Sequence, residues 1–244
     1  EGETNVGTFA LKADAIGLEE VKVLASFAKD RQTPVSISRV QPAEIDEKLG
    51  TQEFPEILKS TPSVYANKQG GGFGDSEIRL RGFSSDNIGV LINGVPVNDM
   101  ENGNVYWSNW AGLSDVTRTM QVQRGLGASK LALSSVGGTI NIITKSTDVQ
   151  AGGSVEQTLG NDAYNKTSFT LSTGLLENNW AVTVSGSKTQ GNGYVDATDF
   201  EAYSYFFNIS KRINDNHSLS LTGFGAPQWH NQRGSMKPIN YYRN

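Results

Sequence analysis

Cysteine is absent from the chain, which excludes disulfide staples and thiolate metal sites. Histidine is nearly absent: only His217 and His230 occur, with no spacing that would bring several ligands onto a metal. No window approaches the ~18 apolar residues of a membrane-spanning helix. Barrel strands remain possible, because they cross with only about 9–11 alternating residues each. Positive charge is not in excess. The net charge of −4 argues against a nucleic-acid partner, whose footprint would be a basic patch. Proline is sparse, 7 residues against 27 glycines. With abundant Ser, Thr and Asn, that balance favours β structure with many turns over a helical bundle. A composition 36% hydrophobic and 19% charged is that of a folding chain. No secretory leader opens the sequence, as expected of a mature or cut N terminus.

Residues 1–33 read as a short strand-like stretch around Phe9 and Leu11, then a polar linker containing Glu19-Glu20-Val21-Lys22-Val23-Leu24-Ala25. From Pro34 to Lys145 the pattern is that of a compact α+β unit. Val35, Ile37 and Val40 predict a strand, and Pro42 to Leu49 a short helix stopped by Gly50. Thr51 is the expected N-cap of a second helix, with Phe54, Ile57 and Leu58 on one face and Pro62 ending it. Glu77–Gly82 predicts a strand. Asn93-Gly94 between Ile88–Ile92 and Val95–Val97 predicts a tight hairpin. Thr119–Gln123 alternates like a half-buried strand, Leu126–Leu133 predicts a short helix, and Thr139–Thr144 a buried strand.

Beyond Lys145, short alternating runs recur between polar turns. Val155 and Leu159, then Phe169 and Leu171, then Trp180, Val182 and Val184 mark three strands. Tyr203, Tyr205, Phe207 and Ile209 form an aromatic stripe on a fourth, and Leu219 and Leu221 mark a fifth. The intervening positions are mostly Ser, Thr, Asn and Gly. Such alternation fits a membrane barrel, with lipid outside and water or a plug inside. It fits the edge of a soluble sandwich equally well.

Landmark segments decide more than the alternation. They are Pro34-Val35-Ser36-Ile37-Ser38, Leu58-Lys59-Ser60-Thr61-Pro62-Ser63-Val64 and Ile78-Arg79-Leu80-Arg81-Gly82-Phe83. Val90-Leu91-Ile92-Asn93-Gly94-Val95-Pro96, Val122-Gln123-Arg124-Gly125 and Gly137-Gly138-Thr139-Ile140-Asn141-Ile142-Ile143-Thr144-Lys145 follow. In this order, over about 110 residues, they resemble the plug domain of the TonB-dependent outer-membrane receptors and transporters. Asn93-Gly94 replaces the family's usual Asp-Gly, and Leu126 stands where many members have proline; neither alters the expected fold.

The resemblance implies a domain division: 1–18 the tail of a periplasmic accessory domain, 19–33 a TonB box and linker, 34–145 the plug, and 146–244 the first strands of a barrel. Glu19–Ala25 resembles a TonB box of the type found in Bacteroidetes transporters. Its alternating Val21, Lys22 and Val23 would suit strand addition to a partner's sheet edge; the bland reading is an ordinary linker. The fold implied is an α+β plug followed by antiparallel strands of an incomplete transmembrane β-barrel, which closes with roughly 22 strands in complete members. About five strands of roughly 10 residues cannot close it.

Arg81 and Arg124 match plug positions whose arginines ion-pair with glutamates on the barrel wall, a role suited to guanidinium forks. The alternative is two solvated surface arginines. By position in the family, the loops 67–76 and 98–110 face the extracellular vestibule. Phe73, Asn102, Asn104, Tyr106, Trp107 and Trp110 are therefore candidate ligand-facing residues; packing of their aromatics on the barrel is the competing use.

Enzymatic chemistry has little support. Gly70-Gly71-Gly72-Phe73-Gly74 lacks the Gly-Lys-Ser/Thr ending of a phosphate loop, and Asn98–Asn104 does not match an EF-hand. No catalytic residue, metal or cofactor is expected. The resemblance implies active import of a nutrient ligand across the bacterial outer membrane, with the plug gating the barrel. TonB and its inner-membrane motor complex would supply the work, with outer-membrane lipid outside and the plug and N terminus on the periplasmic side. A ligand-sensing receptor, or a soluble β-rich binding protein, are the alternatives. The starch-type subfamily with a lipoprotein lid carries a Val-x-Asp-Gly hairpin and an Ala-Ala-x-x-Tyr-Gly-Ser helix, which this sequence lacks, so a lid is not indicated.

Overall fold

The computed structural model describes residues 36–68, 73–74, 76–125, 135–146, 149–214 and 216–231. The expected strand near Phe9, the Glu19–Ala25 segment and the expected helix Leu126–Leu133 lie outside them. Among the described residues no helix is long and apolar enough to cross a membrane.

Strand β1 (Ser36–Val40) leads into helix α1 (Pro42–Leu49), which opens on the proline and ends at Gly50 as expected. Proline suits a first helical turn because that turn's N–H has no partner to lose. The next element departs from expectation. It is a 3-10 helix, Phe54–Ser60, and its N-cap is Glu53 rather than Thr51. Glu53 and Glu56 form a reciprocal capping box, and two acidic caps satisfy the orphan N–H groups better than one threonine two residues upstream would. Ile57 and Leu58 are buried as predicted.

A strand absent from the sequence reading follows, β2 (Val64–Lys68), paired antiparallel with β3 (Ser76–Leu80). β3 stops at Leu80, short of the expected Gly82, because Arg81 and Gly82 turn the chain back and Leu80 bridges to Phe83. β4 (Ile88–Ile92) and β5 (Val95–Pro96) form the expected hairpin. Both turn residues have positive φ, 51° at Asn93 and 84° at Gly94, as a type I′ turn demands. Asn93 also clamps the turn to the next strand: its side chain donates to Thr144 Oγ1 at 2.8 Å and accepts from the Thr144 N–H at 2.9 Å.

Helix α2 (Leu113–Val116), β6 (Thr117–Arg124) and β7 (Gly138–Thr144) complete the first unit. Its sheet runs β1-β6-β7-β4-β5, antiparallel except for the parallel pair β4 and β7. β7 is buried along its whole length, as expected, with Thr139, Asn141 and Thr144 enclosed beside its isoleucines. β6, expected to be half-buried, is more enclosed because β1 and β7 flank it and the core closes over Met120 and Val122.

The second unit is one antiparallel sheet in sequence order: β8 (Gly152–Leu159), β9 (Asn165–Ser172), β10 (Trp180–Gly191), β11 (Phe200–Asn214) and β12 (His217–Gly225). A short β13 (Gln228–His230), not foreseen, continues the pairing along β11 beyond β12. Here the usual burial is inverted. Thr183, Asn208 and Ser210 are at most 2% exposed, whereas Leu171, Tyr205 and Leu221 are 53%, 56% and 62% exposed.

Candidate functional site: the plug–wall seam and its crevice

The buried polar face of the second unit is lined with hydroxyl and amide pairs. Thr170 and Ser185 meet at 2.9 Å and Ser187 and Ser204 at 2.6 Å, while the Asn208 amide donates to Ser220 and Thr222. This face packs on the α+β unit, not on a second sheet. Phe206 joins the first unit's core, and Trp110 stacks on Phe224 with ring centroids 5.5 Å apart. The sandwich reading therefore fails: a sandwich buries apolar faces between two sheets, and here the apolar face is the one left outside.

Among the described residues, the seam is held by charge at one point. Lys166 on β9 reaches Asp115 on α2 at 2.5 Å, with the two side chains 12% and 7% exposed. Lys145 Nζ donates to the Asp115 carbonyl at 2.8 Å, and Ser146, where the chain leaves the plug, meets Ser210 at 2.9 Å. Gly112, the N-cap of α2 with φ 77°, makes the approach possible. A Cβ there would stand 2.1 Å from Ser204 Oγ.

Beside this seam lies a crevice of about 450 Å³, open at one end of the strands. On the first unit's side it is lined by Glu53, Phe54, Phe73, Trp107 and Trp110; on the other by Tyr164, Lys166, Tyr194 and Phe200. Glu53 organises its floor, accepting from the Gly74 N–H at 2.9 Å and from the Ser76 hydroxyl, with Lys68 at 3.5 Å. Burial, reinforced by Asp115 and Glu53, raises the Tyr164 phenol from 10.0 to about 12.

The residues expected to face ligand divide. Phe73 stacks on Phe200 at 4.5 Å, and Trp110 on Phe224. Trp107 is only 5% exposed and packs against Phe54, so it belongs to the core as well as to the crevice wall. Tyr106 is half exposed and receives a hydrogen bond from Asn102 at 2.8 Å. Asn104 accepts from the Ser85 hydroxyl at 2.8 Å. Asn98, at the start of this loop, ties the tip down: it accepts from Val90 and donates to the carbonyls of Ile88 and Gly103.

Arg81 and Arg124 come together at the edge of the first unit, away from the ion pair above. Arg124 donates to Ser36 Oγ at 2.8 Å and to the Pro62 carbonyl at 3.2 Å. The Arg81 guanidinium lies over Gly125, where a Cβ would come within 2.3 Å of it. Among the described residues neither meets a carboxylate. Asp115 and Lys166, which do tie the units together, were legible in one respect. Lys166 occupies an inward position two residues before Ser168 on an otherwise uncharged strand face, and a buried lysine requires a counter-charge. Among the described residues no cluster of His, Asp and Glu could hold a metal.

An α+β unit seated on the polar inner face of an inverted sheet defines a plug against the wall of a transmembrane barrel. Residues 29–139 match the family model "TonB-dependent Receptor Plug Domain", and this segment is a plug domain of the TonB-dependent receptor type. Among its relatives are the vitamin B12 transporter BtuB of Vibrio vulnificus (strain YJ016), 29% identical over 199 residues, and a ferric enterobactin receptor of Pseudomonas aeruginosa, 25% identical over 181 residues. These matches take in 78% and 67% of this chain but 32% and 24% of the relatives. The chain thus spans about a third or less of their length. The siderophore receptor PirA of Acinetobacter baumannii shares the fold, with a TM-score of 0.64 and 18% identity over 82% of this chain and 32% of that one. These relatives are named as transporters and receptors, not as enzymes.

Proposed function

We propose that this chain is the plug and first wall segment of an active importer in the bacterial outer membrane, with the plug gating the barrel. The domain division is the one that the sequence resemblance implies: an accessory tail to residue 18, a TonB box and linker to 33, the plug to 145, then wall. The single observation that carries the proposal is the inverted sheet, polar against the plug and apolar outward. A soluble protein would pay heavily in exposed apolar area for that arrangement, whereas a barrel wall requires it.

In this reading the ligand arrives at the end where the crevice opens, and Tyr106, Asn102 and the crevice aromatics meet it. TonB, driven by its inner-membrane motor complex, captures Glu19–Ala25 by strand addition on the periplasmic side and pulls. The plug can yield because, among the described residues, its grip on the wall is a set of separate contacts, the Asp115–Lys166 ion pair, the Phe73–Phe200 and Trp110–Phe224 stacks and Phe206, rather than one broad apolar face. Arg81 and Arg124, which meet no carboxylate among the described residues, would dock the plug on glutamates of the barrel wall. The relatives' names favour a corrinoid or a ferric siderophore as cargo. A knockout of the full-length gene, grown on ferric siderophores, haem, cobalamin or glycans as limiting nutrient, tests this directly. Loss of growth on one such source is expected; unchanged growth and uptake on all of them would overturn importer as the function.

A further inference from the structure

The strand registers set outward side chains of neighbouring strands in paired rows, and the rows change in character along β10 and β11. Val182 stands beside Ile209 and Leu221, and the next row sets Leu171, Val184 and Phe207 together. Above them Phe169 and Tyr205 flank Gly186. All of these rows are apolar or aromatic except for glycines, and the rings lie over the glycines: a Cβ at Gly223 would come within 2.2 Å of the Phe207 ring, and one at Gly225 within 2.1 Å of Tyr205.

The stack of apolar rows ends on both sides. At one end Trp180 pairs with Lys211, and Lys211 with the exposed Leu219; the ammonium sits over the indole at 5.0 Å, next to the polar turn Glu177-Asn178-Asn179. At the other, Lys188 pairs with Tyr203 and Thr167, and Thr167 with Gln157. There Lys188 lies over the Tyr203 ring at 5.4 Å and near Glu201 at 3.5 Å, while the Tyr203 hydroxyl donates to Glu201 at 2.6 Å.

We infer that these two rows are the membrane boundaries of the wall: Trp180 and Lys211 at one headgroup level, Lys188, Glu201 and Tyr203 at the other. The inference rests on the outer-membrane reading above and adds to it the depth of each residue. Amphipathic rings and snorkelling lysines favour the interface, where the apolar body meets acyl chain and the polar tip meets water. The spacing agrees. Trp180 to Lys188 spans about 27 Å along an extended strand, and a tilt of about 40° leaves roughly 20 Å along the membrane normal. That is slightly less than the ~25 Å apolar band of outer-membrane barrels, in a membrane thinner than average. The crevice residues Tyr164, Tyr194 and Phe200 lie beyond the Lys188 row along their strands. Ligand therefore enters the crevice from water without crossing the acyl layer.

The test is a depth profile in the full-length protein reconstituted into phosphatidylcholine vesicles. Single nitroxide labels are introduced through Val182→Cys, Val184→Cys, Phe207→Cys, Lys188→Cys and Lys211→Cys, and their access to oxygen and to a water-soluble nickel chelate is compared. The oxygen-to-nickel ratio should peak at 184 and 207, stay high at 182, and fall to interfacial values at 188 and 211. In the unlabelled protein, Trp180→Phe should remove emission quenched by shallow but not by deep brominated lipids, which gives a reading independent of the labels. A maximum at 188 or 211 overturns the boundaries while leaving membrane residence and import intact. High nickel access at every position overturns the boundaries and the outer-membrane reading together. Failure of the growth test alone, with the profile as described, removes importer but not the depth assignment.

Discussion

Asp115 and Lys166 join plug to wall in surroundings that leave them 7% and 12% exposed. Removing one member strands the other charge in a dry seam, at a cost of about 3–5 kcal/mol. Lys166→Met should therefore loosen the plug, seen as faster proteolysis near α2 and earlier thermal loss of plug structure. Adding Asp115→Leu should recover most of the loss, because an apolar pair replaces a buried ion pair at little cost. Tyr164, nearby, gives a pH prediction. Burial first, then Asp115 and Glu53, raises its phenol to about 12. The neutral form is favoured in the folded state, so its contribution is complete below the ordinary value of 10.0 and disappears as pH rises through about 12. Ultraviolet titration should show one phenolate appearing near that upper value, absent in Tyr164→Phe. The sequence exposed these two sites unequally. An inward lysine on an uncharged strand face asks for a partner, but nothing in the chain says that the partner lies on α2, because the seam joins residues 51 positions apart.

Among the elements, those announced by local chemistry were readable and those made by tertiary contact were not. Pro42 and Gly50 bracket α1, and Asn93-Gly94 fixes the β4–β5 hairpin, because each residue's own backbone preference sets the boundary. The 3-10 helix hid behind the same apolar spacing that a short α-helix would show, and its true cap, Glu53, also serves Gly74 and Ser76. β2, five residues without a clear alternation, becomes a strand by pairing with β3, and β13 forms because β11 runs past β12. The hairpin offers an element-scale test. Asn93→Ala removes two hydrogen bonds to Thr144 and puts a less tolerant residue at φ 51°. A loss of about 1–3 kcal/mol is expected, measured by denaturant unfolding, with the wall strands unaffected.

At the scale of the whole molecule, the alternation in residues 146–244 could not by itself separate a sandwich from a barrel, since both alternate with period two. What separates them is which face is covered, and that became visible only once the plug was seen packed on the polar side. The family landmarks in the plug were legible in order, whereas the ligand was not: the tip residues Asn102 and Tyr106 and the crevice aromatics are few, and most of the wall lies outside this chain. The proposed importer requires that the plug open when its N-terminal segment is pulled. Its most direct test is uptake of radiolabelled cobalamin and ferric siderophores by knockout cells complemented with the intact full-length gene or with one lacking codons for Glu19–Ala25. The account predicts that one ligand is imported only with the intact gene, while cells carrying the deletion still bind it at their surface. Unchanged uptake after the deletion would contradict it.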